Sequence, residues 1–361
     1  MKDIGVGRQR VSISTFWVVI DGACSAGAVR AGQSRPMSNM RAATYSAIGS
    51  ADEVLQVDYL PIPKPGPNEV RVRMAFSGIN PTDVKTRAGL TPRDIAEFQI
   101  PHLDGAGVVD IVGANIDPSR IGERVWVMMA ALDSVYGTAA DYCIVDVSRV
   151  RRLPADASLE LGATLGVPAV TAAYCVLGDG PVEGQVVLVH GGAGGVGRCA
   201  VQLAKWAGAT VIATASTEDR QQVARDAGAD FVYDYRDPDI IYDIREAVGA
   251  VDRIIEVNLP ANLEMDLEVS KPGTVVVNYA ADGEDPVLPR RRLMTAGLTL
   301  EFMLLYTVAA EKYVAAVDAV DVALADGALT MPPARYFELE DIVAAHQAQE
   351  AGTDERLLIR C

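Results

Sequence analysis

The residues best suited to chemistry in this sequence are closely spaced glycines in the segment VVLVHGGAGGVGRC, residues 186–199. Gly192, Gly194 and Gly197 satisfy the pattern G-x-G-x-x-G, directly after an apolar run and directly before residues with helical periodicity. This strand–turn–helix context indicates a site for the diphosphate of a dinucleotide. A glycine-rich structural turn is the alternative, but it gives no reason for these offsets.

Each glycine of the motif has its own physical role. Gly192 permits the tight turn, Gly194 removes a Cβ that would block a pyrophosphate, and Gly197 allows the helix to approach the strand. The free N–H groups and the positive end of the following helix then face the phosphates. We therefore expect the whole loop to bind the cofactor: Gly192, Ala193, Gly194, Gly195, Val196 and Gly197.

The end of the next predicted strand distinguishes between the two nicotinamide dinucleotides. An acidic residue there would bind the adenosine ribose and repel a phosphate on it, yet the strand ends in Ala-Thr-Ala followed by Ser216. The hydroxyl of Ser216 and the guanidinium of Arg220, one helical turn later, suit a ribose phosphate. This favours NADPH over NADH, although Glu218 and Asp219 argue the other way. In the alternative interpretation, Ser216 and Thr217 only cap the next helix.

Two kinds of hydrophobic pattern surround the motif. From Met40, short alternating runs separated by turn residues predict a β-rich unit, with strands at 53–58, 69–76, 105–112 and 124–128. After about residue 165, strands alternate with helices, which implies a doubly wound parallel sheet. Its predicted strands are 185–190, 210–215, 231–232, 253–257 and 274–279, and its helices are 196–208, 220–227 and 239–248. The tail adds helices at 309–325 and 341–349 and strands at 334–339 and 356–360.

Composition excludes several classes of function. With 32 Lys and Arg against 48 Asp and Glu, the formal net charge is −16, which repels phosphate backbones and anionic lipid. We therefore expect no nucleic-acid partner and no membrane association. Five scattered cysteines without C-x-x-C spacing argue against a disulfide framework and favour the cytoplasm. Three histidines without an H-E-x-x-H motif argue against most metal hydrolases.

The first 39 residues differ from the rest of the chain. They contain Gly, Ser and Arg without helical or strand periodicity, and their apolar run from Phe16 to Ile20 is too short to span a membrane. We interpret residues 1–39 as a disordered leader or an upstream start, with Met37 or Met40 as the real beginning. A signal peptide is the weaker alternative.

Several segments beyond the glycine motif resemble one known family. They include MRAATYSAIG from Met40, SGINPTDVKTRAG, GVPAVTAAY and DRIIEVNLPANLEMDLEVSKPGTVVV, and they occur in the family's order. From Met40 to the C-terminus, the sequence is similar to the medium-chain dehydrogenases/reductases. Within them it resembles the zinc-free quinone oxidoreductase branch, which includes zeta-crystallin.

The resemblance implies a domain organisation and an activity. It predicts a GroES-like, β-rich catalytic domain at 40–163, a Rossmann NADPH-binding domain at 164–302, and completion of the catalytic domain by 303–361. NADPH would lie in the cleft between the domains and deliver a hydride or electrons to a quinone or a similar electron-poor carbonyl acceptor. The protein would be a homodimer or a tetramer. The apolar segment 298–306 is a candidate for strand pairing in a dimer, and an ordinary buried strand is the alternative.

Individual positions match the family's cofactor site to different degrees. Asn80 and Leu103 stand where zinc-dependent relatives have a cysteine and a histidine ligand, so we expect no catalytic zinc. Asn80 resembles the polar residue near the nicotinamide, and a turn residue before Pro81 is the alternative. The other cofactor contacts that the resemblance implies are Thr171, Arg220, Tyr235, Asn258 and Arg356.

Other positions depart from the family and leave the substrate open. Lys85 and Thr91 replace two tyrosines near the family's substrate pocket, and Tyr279 stands where glycine is usual. No catalytic side chain is assigned. Reduction of enones or enoyl thioesters with NADPH is the first alternative, with Lys85 suited to an anionic thioester. A non-catalytic NADPH-binding protein is the second.

Overall fold

The computed structural model describes residues 39–361, apart from Arg93, Asp282 and Glu284. The predicted leader therefore lies outside the described residues, except for Asn39, which begins the first strand.

The strands of the described part are β1 (Asn39–Thr44), β2 (Gln56–Pro61), β3 (Glu69–Gly78), β4 (Asp104–Val112), β5 (Arg124–Val127), β6 (Tyr142–Asp146), β7 (Val150–Arg152), β8 (Val186–Val189), β9 (Thr210–Thr214), β10 (Phe231–Tyr233), β11 (Val251–Glu256), β12 (Ser270–Asn278), β13 (Thr299–Phe302), β14 (Ala334–Glu338) and β15 (Arg356–Arg360). The helices are α1 (Ala51–Val54), α2 (Pro81–Arg87), α3 (Leu159–Gly162), α4 (Gly166–Leu177), α5 (Gly195–Trp206), α6 (Glu218–Asp226), α7 (Ile240–Val248), α8 (Leu259–Val269), α9 (Arg290–Ala296), α10 (Ala310–Ala325) and α11 (Ile342–Glu350).

Six strands form a parallel sheet in the order β10-β9-β8-β11-β12-β13. The central strand β8 is covered on both faces: Val187 and Val189 pack with α4 and α5, whereas Leu188 packs with Ile244 of α7 and Met265 of α8. A strand that is buried on both sides needs a continuous apolar run, which is the pattern in the sequence. The doubly wound sheet confirms the predicted fold class.

A seven-stranded sheet follows the order β14-β15-β3-β4-β5-β7, and β6 pairs with β3. The last strand of the chain, β15, runs antiparallel to β3, with Leu358 opposite Gly78. Residues at the C-terminus therefore share a sheet with residues from the first third of the chain. This sheet contains three of the four strands predicted for the β-rich unit, whereas β2 pairs with β1 in a separate two-stranded sheet.

Helices α1 and α4 are two of the elements that differ from the sequence-based expectation. The predicted strand 53–58 is wrong at its start, because residues 51–54 form helix α1 and strand β2 begins at Gln56. The Ser50 hydroxyl hydrogen-bonds the Glu53 carboxylate at 2.7 Å, which stabilises this first turn. Helix α4 was not predicted, since it is buried on almost every side and shows no amphipathic period.

Two glycines of the motif are required by packing within the parallel-sheet unit. A Cβ on Gly197 would lie 2.1 Å from the carbonyl oxygen of Gly191, and one on Gly192 would lie 2.7 Å from the Cβ of Ala213. Both distances are far below van der Waals contact. The glycines therefore let α5 begin directly against the end of β8.

We expect Gly197→Ala to lower the free energy of unfolding by about 2 kcal/mol, because the added methyl forces the loop away from the helix. Chemical denaturation measures this loss. Gly195→Ala is the matched control, since its Cβ would come no closer than 3.4 Å to a neighbouring atom, the Nη1 of Arg356. Equal stability of the two variants would contradict the packing role of Gly197.

Candidate active site

One cavity of about 760 Å³ lies where the two sheets meet, beside the glycine-rich loop. Its walls come from the loop, the start of α2, residues 303–306 and the start of β15. Most of the predicted cofactor residues line this cavity: Asn80, Thr171, Ala193, Gly194, Gly195, Val196, Ser216, Arg220, Tyr235 and Arg356.

Three of the predicted residues do not line the cavity. Gly192 and Gly197 lie behind the loop, where they make the close contacts described above. Asn258 is exposed and precedes α8, and its backbone N–H donates to the carboxylate of Glu256. Gly192 and Gly197 therefore support the loop from behind, whereas Asn258 lies outside the cavity wall.

The glycine-rich loop presents backbone without side chains to the cavity. Its turn is closed by a hydrogen bond from Gly194 N–H to the Gly191 carbonyl at 2.9 Å, and Gly191 has a φ of +66°. A Cβ on Gly194 would meet only the Gly191 oxygen, at 3.3 Å, so its outer face is open. Helix α5 begins at Gly195 and directs its free N–H groups toward this space. Bare backbone at a helix N-terminus fits a diphosphate.

A buried chain of hydrogen bonds runs behind the other end of the cavity. Arg356 Nη2 donates to Asn80 Oδ1 at 3.0 Å, and Asn80 Nδ2 donates to Asp104 Oδ2 at 2.7 Å. The same Asp104 oxygen accepts the N–H of Val167, at the start of α4, at 2.8 Å. This chain links β15, α2, β4 and α4, and it fixes the Asn80 amide at the cavity wall.

Burial shifts the pKa values of the ionisable groups in and next to this chain of hydrogen bonds. Burial raises the pKa of Asp104 to about 6, and burial together with the charge of Asp104 raises the pKa of Asp83 to about 8. Burial also lowers the pKa of Arg356, whose Nε has no hydrogen-bond partner among the described residues. Its Nη1 lies 3.4 Å from the position that a Cβ on Gly195 would occupy, so the guanidinium faces the glycine-rich loop. Within the part of the chain that the structure describes, the Nε–H remains as an unused donor.

Asn80 also has a local backbone role at the turn before Pro81, which was the alternative interpretation of this residue. It precedes α2, and its backbone N–H donates to Asp83 Oδ2 at 2.7 Å. The two roles coexist, since the backbone starts the helix while the side chain joins Arg356 to Asp104.

The far end of the cavity combines Ser216, Arg220 and Tyr235 with an acid that the sequence did not suggest. Arg220 Nε donates to Asp354 Oδ1 at 2.5 Å, and Asp354 also lines the cavity. Thr217 caps α6 by accepting the N–H of Arg220 at 3.3 Å, so the capping alternative holds for Thr217. Any phosphate that reaches Arg220 must share it with Asp354 or displace that carboxylate.

Aromatic hydroxyls line the inner part of the cavity near Asn80. Tyr279 and Tyr306 both have pKa values raised by burial, so their phenols stay protonated at neutral pH. Tyr306 hydrogen-bonds the side chain of Thr82, and Lys85 also lines this region. Sequence reasoning missed Tyr306, because the segment around it has the composition of a buried strand.

Comparison with known proteins agrees with this geometry. The zinc-binding dehydrogenase family matches residues 195–321, and the alcohol dehydrogenase GroES-like domain matches residues 66–155. A quinone oxidoreductase from Sus scrofa is 31% identical over 289 residues, which cover 79% of this chain and 86% of that protein. The chain belongs to the medium-chain dehydrogenase/reductase superfamily. The predicted family resemblance is thereby confirmed, and the protein is an oxidoreductase.

Two further relatives of this oxidoreductase inform its site. The crystal structure of Escherichia coli quinone oxidoreductase complexed with NADPH is 25% identical, has a TM-score of 0.76, and covers 89% of this chain and 100% of that one. A 2-methylene-furan-3-one reductase from Solanum lycopersicum is 30% identical over 235 residues, which cover 61% of this chain and 60% of that protein. The family and the NADPH complex support a nicotinamide cofactor for this chain.

The matching dehydrogenase family is named for zinc binding, but the cavity of this oxidoreductase offers a poor set of zinc ligands. Asn80 is engaged with Asp104 and Arg356, and Leu103 has no ligand atom. Of the described residues that line the cavity, none is a histidine, and Cys199 is the one thiol. Burial raises the pKa of Cys199 to about 11, which keeps the thiol protonated.

One membrane-related finding concerns the helices. Among residues 39–361 as described, no helix combines the length and the apolar character that crossing a bilayer requires.

We expect Arg356→Met to weaken binding of the nicotinamide cofactor about tenfold or more, because it removes the buried cation that faces the loop and leaves Asn80 Oδ1 without its donor. Calorimetric titration measures the dissociation constant. Arg360→Met is the matched control on the same strand, since Arg360 is exposed and contacts Glu338, at 3.0 Å, and the ring of Tyr336 on the surface. Unchanged affinity in a folded Arg356→Met protein would remove Arg356 from the cofactor site.

Proposed function

We propose that this oxidoreductase uses NADPH, without zinc, to reduce quinones or similar electron-poor carbonyl acceptors. The observation that carries the proposal is the continuity of one cavity. It joins Arg220 and Ser216 at one end, passes the bare glycine-rich loop, and reaches Asn80 and Tyr306 at the other. The similarity to quinone oxidoreductases supports the choice of acceptor.

The protein's own groups would bind and orient both reactants. The loop N–H groups and the start of α5 hold the diphosphate, and Arg356 with Asn80 fixes the nicotinamide end. When bound, the reduced nicotinamide supplies the hydride. Apolar side chains of Leu165, Val167 and Leu305 line the cavity and exclude water from the reacting atoms.

Proton supply separates the two candidate substrate classes. A reduced quinone oxygen takes its proton from water, so quinone reduction requires no positioned acid. Reduction of an activated alkene requires a proton at carbon, and the protonated phenols of Tyr279 and Tyr306 are donors in the same cavity. This observation, with the similarity to a 2-methylene-furan-3-one reductase, supports enone reduction as the second candidate.

An acceptor panel tests the proposal directly. We expect saturable NADPH oxidation with simple benzoquinones and naphthoquinones, and slower turnover with enones and crotonyl thioesters. Loss of the cofactor absorbance measures the rate, and a parallel titration confirms that the protein binds NADPH. Bound NADPH without turnover of any quinone would refute the quinone reductase. Turnover of the enones alone would establish the second candidate.

Cofactor choice would depend on competition at Arg220. Its side chain is 42% exposed and paired with Asp354, so a ribose phosphate can approach it from solvent. Ser216 is buried beside it and Tyr235 is half exposed. A phosphate dianion offers Arg220 more charge than one carboxylate, which favours NADPH over NADH.

We expect substitutions of the two members of the Arg220–Asp354 ion pair to have opposite effects on NADPH binding. Arg220→Glu should weaken NADPH by at least about 1.5 kcal/mol, the scale of a lost charge-assisted contact, while NADH binding changes little. Asp354→Asn should tighten NADPH, because the competing anion is gone. Fluorescence titration with both nucleotides provides the comparison. If Arg220→Glu weakens NADPH and NADH equally, Arg220 does not bind the ribose phosphate.

The homodimer remains part of the proposal. Strand β13 lies at the edge of the parallel sheet, and Phe302 and Leu304 at its end are exposed. An edge strand with exposed apolar side chains is suited to pairing with a second copy of the chain.

A further inference from the structure

A buried cluster of ionisable side chains lies behind the glycine-rich loop, outside the cavity. His190 follows β8, Glu256 ends β11, and Asp266 belongs to α8. The side chains of all three are almost completely inaccessible to solvent. Glu256 Oε2 and Asp266 Oδ2 have no hydrogen-bond partner among the described residues. Ionisable groups with such burial need a specific reason.

The distances fit a shared proton better than a tetrahedral zinc ion. His190 Nε2 lies 2.9 Å from Asp266 Oδ1 and 3.4 Å from Glu256 Oε2. Two ligands of one tetrahedral zinc ion stand about 3.3 Å apart, given metal–ligand bonds of about 2.0 Å. The 2.9 Å separation is that of a direct N–H···O hydrogen bond. A hydrogen on Nε2 would point at Asp266, with the Glu256 carboxylate beside it.

The other ring nitrogen connects His190 to the loop. His190 Nδ1 lies 3.3 Å from Thr214 Oγ1 at the end of β9. The same oxygen accepts the N–H of Gly191 at 3.2 Å, and the Thr214 carbonyl accepts the N–H of Gly192 at 3.0 Å. Thr214 thus holds the first two glycines after His190 through both of its oxygens.

We propose that His190 is an imidazolium held between Asp266 and Glu256, and that it acts as a positioning residue for the glycine-rich loop by fixing Thr214. As an imidazolium, His190 donates from Nε2 to Asp266, with the Glu256 carboxylate 3.4 Å away, and from Nδ1 to Thr214. The threonine oxygen then stays oriented as the acceptor for Gly191. This proposal rests on the proposed cofactor site, because the loop is where the diphosphate binds.

The charge balance of the cluster supports this protonation state. With a neutral imidazole, two buried carboxylates would face each other without a cation. The hydrogen bond and charge of Asp266, with the charge of Glu256, raise the pKa of His190 against the effect of burial. Burial raises the pKa of Glu256, a positive charge on His190 opposes that rise, and the charge of Asp266 adds to it. The neighbouring titratable group on the next strand end is Tyr279, whose phenol stays protonated.

The protonation state can be read by nitrogen NMR, because the chain has only three histidines. His102 and His346 pair with each other, Nε2 to Nε2, at 2.9 Å. Burial lowers the pKa of His346 to about 3 and that of His102 well below 6.5, so both serve as internal neutral references. At pH 7.5, we expect one imidazolium pattern and two neutral patterns in histidine-labelled protein. Asp266→Asn should convert the imidazolium pattern to a neutral one.

Substitution of Thr214 tests the link to the cofactor. Thr214→Val removes the shared acceptor without changing the side-chain shape, so we expect the KM for NADPH to rise about tenfold while kcat changes less than twofold. Thr214→Ser keeps the oxygen and should restore the KM. Thr210→Val, at the other end of the same strand, is the matched control.

Three results would overturn the proposal. One is a neutral His190 in the wild-type protein. Another is a His190 signal that shifts when a chelator is added, which would identify a metal site. The third is an unchanged KM in a folded Thr214→Val variant. The NMR pattern is independent of turnover, so its result stands even if no acceptor is reduced. Failure of wild-type protein to bind NADPH would refute the proposed function instead.

Discussion

The hydrogen bond between Arg356 and Asn80 is the contact on which the candidate site depends. It joins residues 276 positions apart in the sequence, and through Asp104 it reaches the start of α4. Each partner is buried, so each requires the others to satisfy its charge or its polar atoms. The seven-stranded sheet is thereby tied to α4, which packs against α5 next to the glycine-rich loop.

This contact also explains how a strongly acidic chain presents positive potential to a diphosphate. The net charge of −16 repels anions at long range, but the cavity places Arg356, Arg220 and the α5 N-terminus along one path. Solvent screens distant surface charges far more than a buried guanidinium. Local donors therefore determine what binds, and the global charge disfavours larger polyanions.

Local sequence patterns were sufficient for the doubly wound sheet and the position of the glycine-rich loop. Val187 and Leu188 lie in a continuous apolar run, and the glycine spacing depends on neighbours within a few residues. The pairing of Arg220 with Asp354 was not predictable, because the two residues are 134 positions apart and no periodicity links them. The contribution of Tyr306 to the cavity and the cluster around His190 were not predicted for the same reason. In both cases, residues from the ends of separate elements come together only in the fold. Helix α4 lacks the polar face by which a surface helix is recognised.

Strand β15 couples the local stability of the seven-stranded sheet to the candidate site. Its residues Arg356–Arg360 supply both the strand that pairs with β3 and the arginine that donates to Asn80. Opening of this strand would take the buried guanidinium away from the glycine-rich loop, while the parallel sheet, which β15 does not join, would stay paired. Local unfolding of β15 would therefore disable the site without unfolding of the remaining sheet.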